Sequence, residues 1–155
     1  VLNKMSLAIQ GEVPEEPYEI PLGKANIVRP GTNYTIVAIG RMMHEALKAA
    51  DQLAELGIDA EVIDPRTLQP FDTATVVESV KKTHRALIVH EAVRFGGFGG
   101  EIAAQIQEEA FDYLDAPIAR VGAPFSPVPF SPALEQHYIP NADRIVAEAK
   151  KQLGL

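Results

Sequence analysis

Cysteine and tryptophan are both absent. Without cysteine there is no disulfide framework and no thiolate metal site, a composition that suits a reducing compartment. No apolar run reaches the length of a membrane span. The opening VLNKMSLAIQ lacks the charged start and long apolar stretch of a signal peptide, so a soluble chain with no targeting segment is expected. Basic residues are scarce too: 14 Lys and Arg against 21 Asp and Glu leave a net charge of -7. Affinity for phosphate backbones comes mainly from clustered Lys and Arg, which argues against sequence-independent binding to DNA or RNA. An acidic surface of this kind keeps a domain soluble or meets a basic partner.

What is present reads as one domain, since 155 residues can bury a single core of ordinary size. The chain starts at Val1, and its first ten residues look like an element cut mid-pattern. GEVPEEPYEIPLG (11–23) follows, with Pro14, Pro17 and Pro21 fixing φ and removing backbone donors, which predicts an extended connector. Residues 1–23 are therefore expected to be a truncated element plus connector, and residues 24–155 the domain.

From there β-branched runs alternate with helical periods. YTIVAIG (34–40), IDAEVID (58–64), ALIVHEA (86–92) and PIARVGAP (117–124) read as buried strands. Between them, 41–56 places Met43, Ala46, Leu47, Ala50, Leu53 and Ala54 on one helical face and stops at Gly57. Asp72 is expected to cap a helix through Lys82, with Val76, Val77 and Val80 inward. A third helix over 100–114 carries Ile102, Ala103, Ile106, Ala110 and Tyr113. A last one over 141–153 carries Ile145, Ala149 and Leu153. FSPVPFSPALEQHYIP reads as a proline-broken loop, and GKANIVRPG offers an extra edge strand. Strand, helix, strand, helix with short connections predicts a parallel sheet covered on both faces.

The candidate chemistry centres on VHEAVRFGGFGGEI (89–102), where four glycines in five residues join a strand to a helix. A dinucleotide fingerprint would need glycine where Ile102 stands. A Walker loop would end Gly-Lys-Ser/Thr where this helix begins Gly-Glu-Ile. Glu101 in the first turn would also repel an anion. The glycines instead predict a tight turn or close packing against another chain. His90 and Glu91 are adjacent on a strand and point to opposite faces, so they do not form an acid–base pair. His90 fits either a catalytic role or a hydrogen-bonded packing role. His44, His84 and His137 lack metal-ligand spacing. Asp64 ends a strand as a phospho-accepting aspartate would, but Gly40-Arg41-Met42 stands where that chemistry needs an acidic pair.

Four stretches in order, GEVPEEPYEIPLGKA (11–25), GRMMHEALKAADQLAELGIDAEVIDPRTLQPFD (40–72), VHEAVRFGGFGGEIAAQIQEEAFDYLDAPIARV (89–121) and PVPFSPALEQHYIP (127–140), resemble the C-terminal half of the β subunit of the E1 component of 2-oxo acid dehydrogenase complexes. These are the pyruvate, branched-chain and acetoin enzymes, and the domain is of the transketolase C-terminal type. The chain departs from the family pattern at Pro65, Val93 and Gly100. The resemblance implies an α/β fold, a three-layer α/β/α sandwich on a mostly parallel five-stranded sheet with one antiparallel edge strand. It also implies a heterotetrameric α2β2 enzyme that uses thiamine diphosphate and magnesium to decarboxylate a 2-oxo acid and acylate lipoyl on E2, the dihydrolipoyl acyltransferase. The cofactor would lie outside this chain, between the E1 α subunit and the N-terminal half of the β subunit. No catalytic, cofactor-binding or metal residue carries over. The expected role is assembly, with the α subunit, a second β subunit and the basic subunit-binding domain of E2 as partners, in bacterial cytoplasm or the mitochondrial matrix. Interface candidates are Val93, Phe95, Gly96, Gly97 and Phe98 for subunit packing, and Asp115 and the Leu155 carboxylate for E2. The alternatives are the same domain of a single-chain thiamine enzyme, transketolase or deoxyxylulose phosphate synthase, and a free-standing regulatory ligand-binding module.

Overall fold

Each β-branched run becomes a strand and each helical period a helix in the computed structural model, which describes residues 10–155. The element expected to be cut at the start of the chain falls almost wholly in residues 1–9, outside the described residues. In chain order the elements are β1 (Asn26–Arg29), β2 (Tyr34–Ala38), α1 (Met42–Glu55), β3 (Ala60–Asp64), α2 (Thr73–Thr83), β4 (Ala86–Val93), α3 (Gly99–Ala110), β5 (Ala119–Ala123), α4 (Pro132–Tyr138) and α5 (Ala142–Leu153). The strands form one five-stranded sheet in the order β1-β3-β2-β4-β5. β2 pairs in parallel with β3 and β4, and β4 in parallel with β5; β1 runs antiparallel to β3, with Asn26 opposite Asp64. The three-layer sandwich with one antiparallel edge strand is therefore present.

β2 is buried along its whole length because it is the middle strand of a sheet covered on both faces. Tyr34, Ile36, Val62, Leu87, Val89, Ala119 and Val121 pack with Met42, Ala46, Ala50 and Leu53 of α1 and Ile145 and Ala149 of α5. Val37, Ile63, Ala86 and Ile88 pack on the other face with Val76, Val77 and Val80 of α2 and Ile102 and Ile106 of α3. The period of two along each strand thus feeds two separate cores. Full burial of each such side chain is worth about 1.5–3 kcal/mol before conformational entropy is counted.

Polar groups inside this frame are tied down. Thr35 on β2 bonds Ser79 at 2.7 Å and Thr83 at 2.6 Å on α2. Asp72 caps α2 as expected, accepting from the Thr75 N–H at 3.3 Å, from the Thr75 hydroxyl at 2.8 Å and from the Ala25 N–H at 2.9 Å. Burial alone would raise the Asp72 pKa, but these donors, with Lys24 nearby, outweigh it and hold the carboxyl below its ordinary value.

Some expectations need correction. Ala54 is exposed, and Met42 and Ala49 take inward places on α1 instead. α3 ends at Ala110 and passes into a 3-10 turn at Phe111–Tyr113, which turns Tyr113 outward. Residues 132–138, expected within a loop, form α4: Pro132 sits in the first turn, where a missing N–H costs nothing. No helix among the described residues is long and apolar enough to cross a membrane.

Candidate functional site

β2 leads to β3 through α1 on one face, and β3 leads to β4 through α2 on the other, so the winding reverses between β2 and β4. The crevice outside the carboxyl ends of these two strands is where open α/β sheets collect functional groups. Here it holds Arg41 after β2 and His90 and Glu91 on β4. Arg41 Nη1 lies 3.9 Å from Glu91 Oε2. His90 points to the opposite face, as strand alternation requires.

The His90 ring plugs the underside of the glycine turn, with 3% of the residue exposed. A Cβ on Gly99 would lie 2.6 Å from both His90 Cδ2 and His90 Nε2, and one on Gly97 2.3 Å from the Val93 carbonyl oxygen and 2.6 Å from His90 Cε1. The glycines are therefore required by close approach of a backbone and an imidazole. Burial depresses the His90 pKa and the positive Arg120 adds to this, while the Ala92 backbone pulls the other way. The ring is neutral at neutral pH and makes no well-aligned hydrogen bond from either nitrogen among the described residues. Its position beneath the turn fits packing.

Above the turn, a cleft of about 560 Å³ is lined by Gln69, Gly96, Gly97, Phe98, Gly100, Glu101 and Gln105. The Glu101 carboxylate, braced by Gln105 at 3.0 Å, stands at the α3 N-terminus where an anion would have to bind. The turn is thus unsuited to a phosphate.

Of the packing candidates, Val93 is half-buried and Phe98 tucks against the α2–α3 core. Phe95 is 73% exposed and meets Phe125 edge to face at 5.1 Å. Val128, Phe130 and Leu134 are exposed in the segment that follows. Sequence reasoning missed Phe125, Val128 and Phe130 because FSPVPFSP has no periodicity; its signal was the repeated Phe among prolines.

Asp115 and Leu155 lie at the other pole. Asp115 precedes β5, is exposed, and pairs with Arg85 at 3.6 Å. α5 runs back along the sheet, and Gln152 near its end donates to the carbonyls of Pro117 and Ala86. This brings exposed Leu155 to the same amino end of the strands as Asp115. Asp64, the other acidic candidate, accepts from the Arg66 N–H at 2.9 Å and braces the loop after β3. Among the described residues, no group of three or more His, Asp or Glu side chains is placed to hold a metal ion.

Residues 23–145 match the family model "Transketolase, C-terminal domain". Among curated proteins, the chain is 48% identical over 152 residues to the acetoin:2,6-dichlorophenolindophenol oxidoreductase subunit beta of Bacillus subtilis, covering 98% of this chain and 44% of that protein. It is 45% identical over 150 residues to the pyruvate dehydrogenase E1 component subunit beta of the same organism, covering 97% and 46%. The chain therefore spans about half the length of the curated relatives it matches. Among solved structures, the chain of a split-gene transketolase described as an inactive beta4 tetramer superposes with a TM-score of 0.78 at 32% identity, covering 94% of this chain and 46% of that one.

Proposed function

We propose, from the premise that this chain belongs to the transketolase C-terminal domain family, that it is the assembly domain of the β subunit of an E1 component. The observation that carries this reading is the 45–48% identity to β subunits over nearly the whole chain. The likeness to the split-gene transketolase is weaker at 32%, which favours an E1 β subunit over a transketolase. In this reading the whole enzyme is an oxidoreductase acting on a 2-oxo acid or acetoin and passing the acyl group to lipoyl on E2.

Thiamine diphosphate with its magnesium would supply the carbanion chemistry in the whole enzyme. The residues of the glycine-rich strand-to-helix turn do not fit that group: Glu101 stands in the first turn of α3, where the diphosphate would have to bind, and the His90 ring fills the space under the glycines. The chain's own contribution is contact. The exposed Phe95–Phe125 patch, with Val93, Gly96, Gly97 and Phe98 shaping the turn beside it, would hold a second β subunit and the α subunit. Asp115 and Leu155, at the opposite pole, would receive the basic subunit-binding domain of E2 by charge-assisted hydrogen bonds. Because the two surfaces lie at opposite ends of the sheet, both contacts can be made at once. The compartment would be bacterial cytoplasm or the mitochondrial matrix.

Sedimentation of the chain tests the assembly reading. Concentration-dependent self-association is expected, weakened about tenfold by Phe95→Ser together with Phe125→Ser. A monomer at every concentration, or association untouched by both substitutions, refutes it. Calorimetric titration with thiamine diphosphate and magnesium should be flat, and micromolar binding would overturn the placement of the cofactor outside this chain.

A further inference from the structure

At the carboxyl pole, beside the Arg41–Glu91 pair, a crevice of about 450 Å³ opens between the start of α1 and α4. Its charged lining is Arg41 and Glu45 on the α1 side and Glu135 on α4, and its apolar lining is Pro132, Ile139 and Pro140. Glu45 is held in place. Its Oε2 accepts from the Ala142 N–H at 3.1 Å, which ties α1 to α5, and its Oε1 accepts from Lys48 at 3.0 Å. Burial alone would raise the Glu45 pKa, but Lys48, the Ala142 N–H and Arg41 outweigh it and hold the carboxyl below its ordinary value. Arg41 is less completely served. Glu91 Oε2 lies 3.9 Å from its Nη1, beyond hydrogen-bond reach, and Nη1 is buried with no hydrogen-bond partner among the described residues. The Arg41 side chain makes no capping bond to α1 either.

We propose that this crevice binds a zwitterionic α-amino acid with an aliphatic side chain. A buried guanidinium donor without an acceptor is costly, and a carboxylate ligand supplies that acceptor in a short, charge-assisted bond. A lone anion would meet Glu45, Glu91 and Glu135 around a single Arg, and a lone cation would meet Arg41; a ligand carrying both charges avoids each conflict. Its ammonium group goes to Glu135, the lining carboxylate that does not already serve Lys48 and the α5 N-terminus. Pro132, Ile139 and Pro140 then offer the apolar surface on which an aliphatic side chain leaves water. The volume falls within the range of pockets that enclose small organic molecules, and the crevice adjoins the winding reversal between β2 and β4, where such sheets collect ligands. The site shares no lining residue with the Phe95–Phe125 patch or with the Asp115 pole, so its test is independent of the assembly reading.

The test is titration of the chain with leucine, followed by the backbone amide resonances of Ile139 and Asn141. Saturable millimolar binding is expected. Three analogues, 4-methylpentanoate without the ammonium group, 3-methylbutylamine without the carboxylate and glycine without the side chain, should each bind about tenfold more weakly or worse. Arg41→Gln, which removes no helix cap, should weaken leucine about tenfold and leave the amine unaffected. Glu135→Gln should weaken leucine by a similar factor and leave 4-methylpentanoate unaffected or stronger. A merely structural role for either residue would move all the ligands together. Leucine shifts that never saturate, any of the three analogues binding as tightly as leucine, or unchanged leucine affinity in a folded Arg41→Gln, Glu135→Gln double variant would overturn the proposal.

Discussion

Replacing Gly99 with alanine tests the account of the glycine turn. The new methyl group would stand 2.6 Å from His90 Cδ2 and Nε2 and 3.3 Å from Ile88 Cγ2. Overpacking of this kind costs about 1–3 kcal/mol, while alanine gains up to about 1 kcal/mol over glycine in a helix. Gly99→Ala should therefore destabilise the domain by about 1–2 kcal/mol. His90→Ala alone opens a cavity and should cost about 2 kcal/mol. In that background the ring is gone, so Gly99→Ala should become neutral or stabilising, a coupling of about 1–2 kcal/mol. Gly97 supplies the control. Its methyl would meet the Val93 carbonyl at 2.3 Å, a backbone contact that removing the ring does not relieve, so Gly97→Ala should destabilise in both backgrounds. Urea unfolding of the four Gly99/His90 combinations, with slopes checked for constancy, gives the coupling directly. If Gly99→Ala costs the same with and without the imidazole, the ring is not what demands glycine, and the reasoning fails.

Other outcomes follow from the charges and caps. Asp72→Ala removes the α2 cap and the tie to Ala25, and should cost about 1–2 kcal/mol at neutral pH by urea unfolding. Because the folded pKa of Asp72 is depressed, its contribution is present above the ordinary value of 3.8 and is lost as pH falls through the folded pKa; the penalty of the variant should shrink there. His90 also has a folded pKa below its ordinary 6.5, so the unfolded chain takes up the proton first. Its contribution is complete above 6.5 and lost as pH falls below it, and His90→Gln should flatten that part of the stability profile. An unchanged slope would mean the imidazole is not buried neutral. Asp115→Asn should weaken binding of a basic E2 subunit-binding domain in surface plasmon resonance, and added salt should weaken the wild type in the same way. Affinity indifferent to both would remove Asp115 from the contact.

The sheet was legible because burial on both faces forces near-continuous runs such as YTIVA and ALIV, and the large helices because their apolar positions repeat at helical spacing. α4 was not, since a seven-residue helix with only Tyr138 buried has no stripe to read. Tyr113 misled for a local reason: the helix tightens to 3-10 after Ala110 and rotates the next residues off the inward face. The glycine loop's lack of a phosphate motif could be read directly, but its cause could not. Only the fold sets Gly97 and Gly99 over His90, seven and nine positions earlier.

The antiparallel course of β1 has a mechanical consequence. Asn26 stands opposite Asp64 at the carboxyl pole, where Gly23 N–H is tied to Thr67 Oγ1 at 2.9 Å, while the last turn of α5 reaches the amino pole. A pull between the connector and residue 155 therefore runs along the strands. β1 can leave β3 only by sliding lengthwise, which strains its ladder bonds together instead of one after another, and α5 must shear across the sheet on its buried Ile145 and Ala149. The domain is thus oriented to resist tension applied between the connector and residue 155 along the direction of its strands.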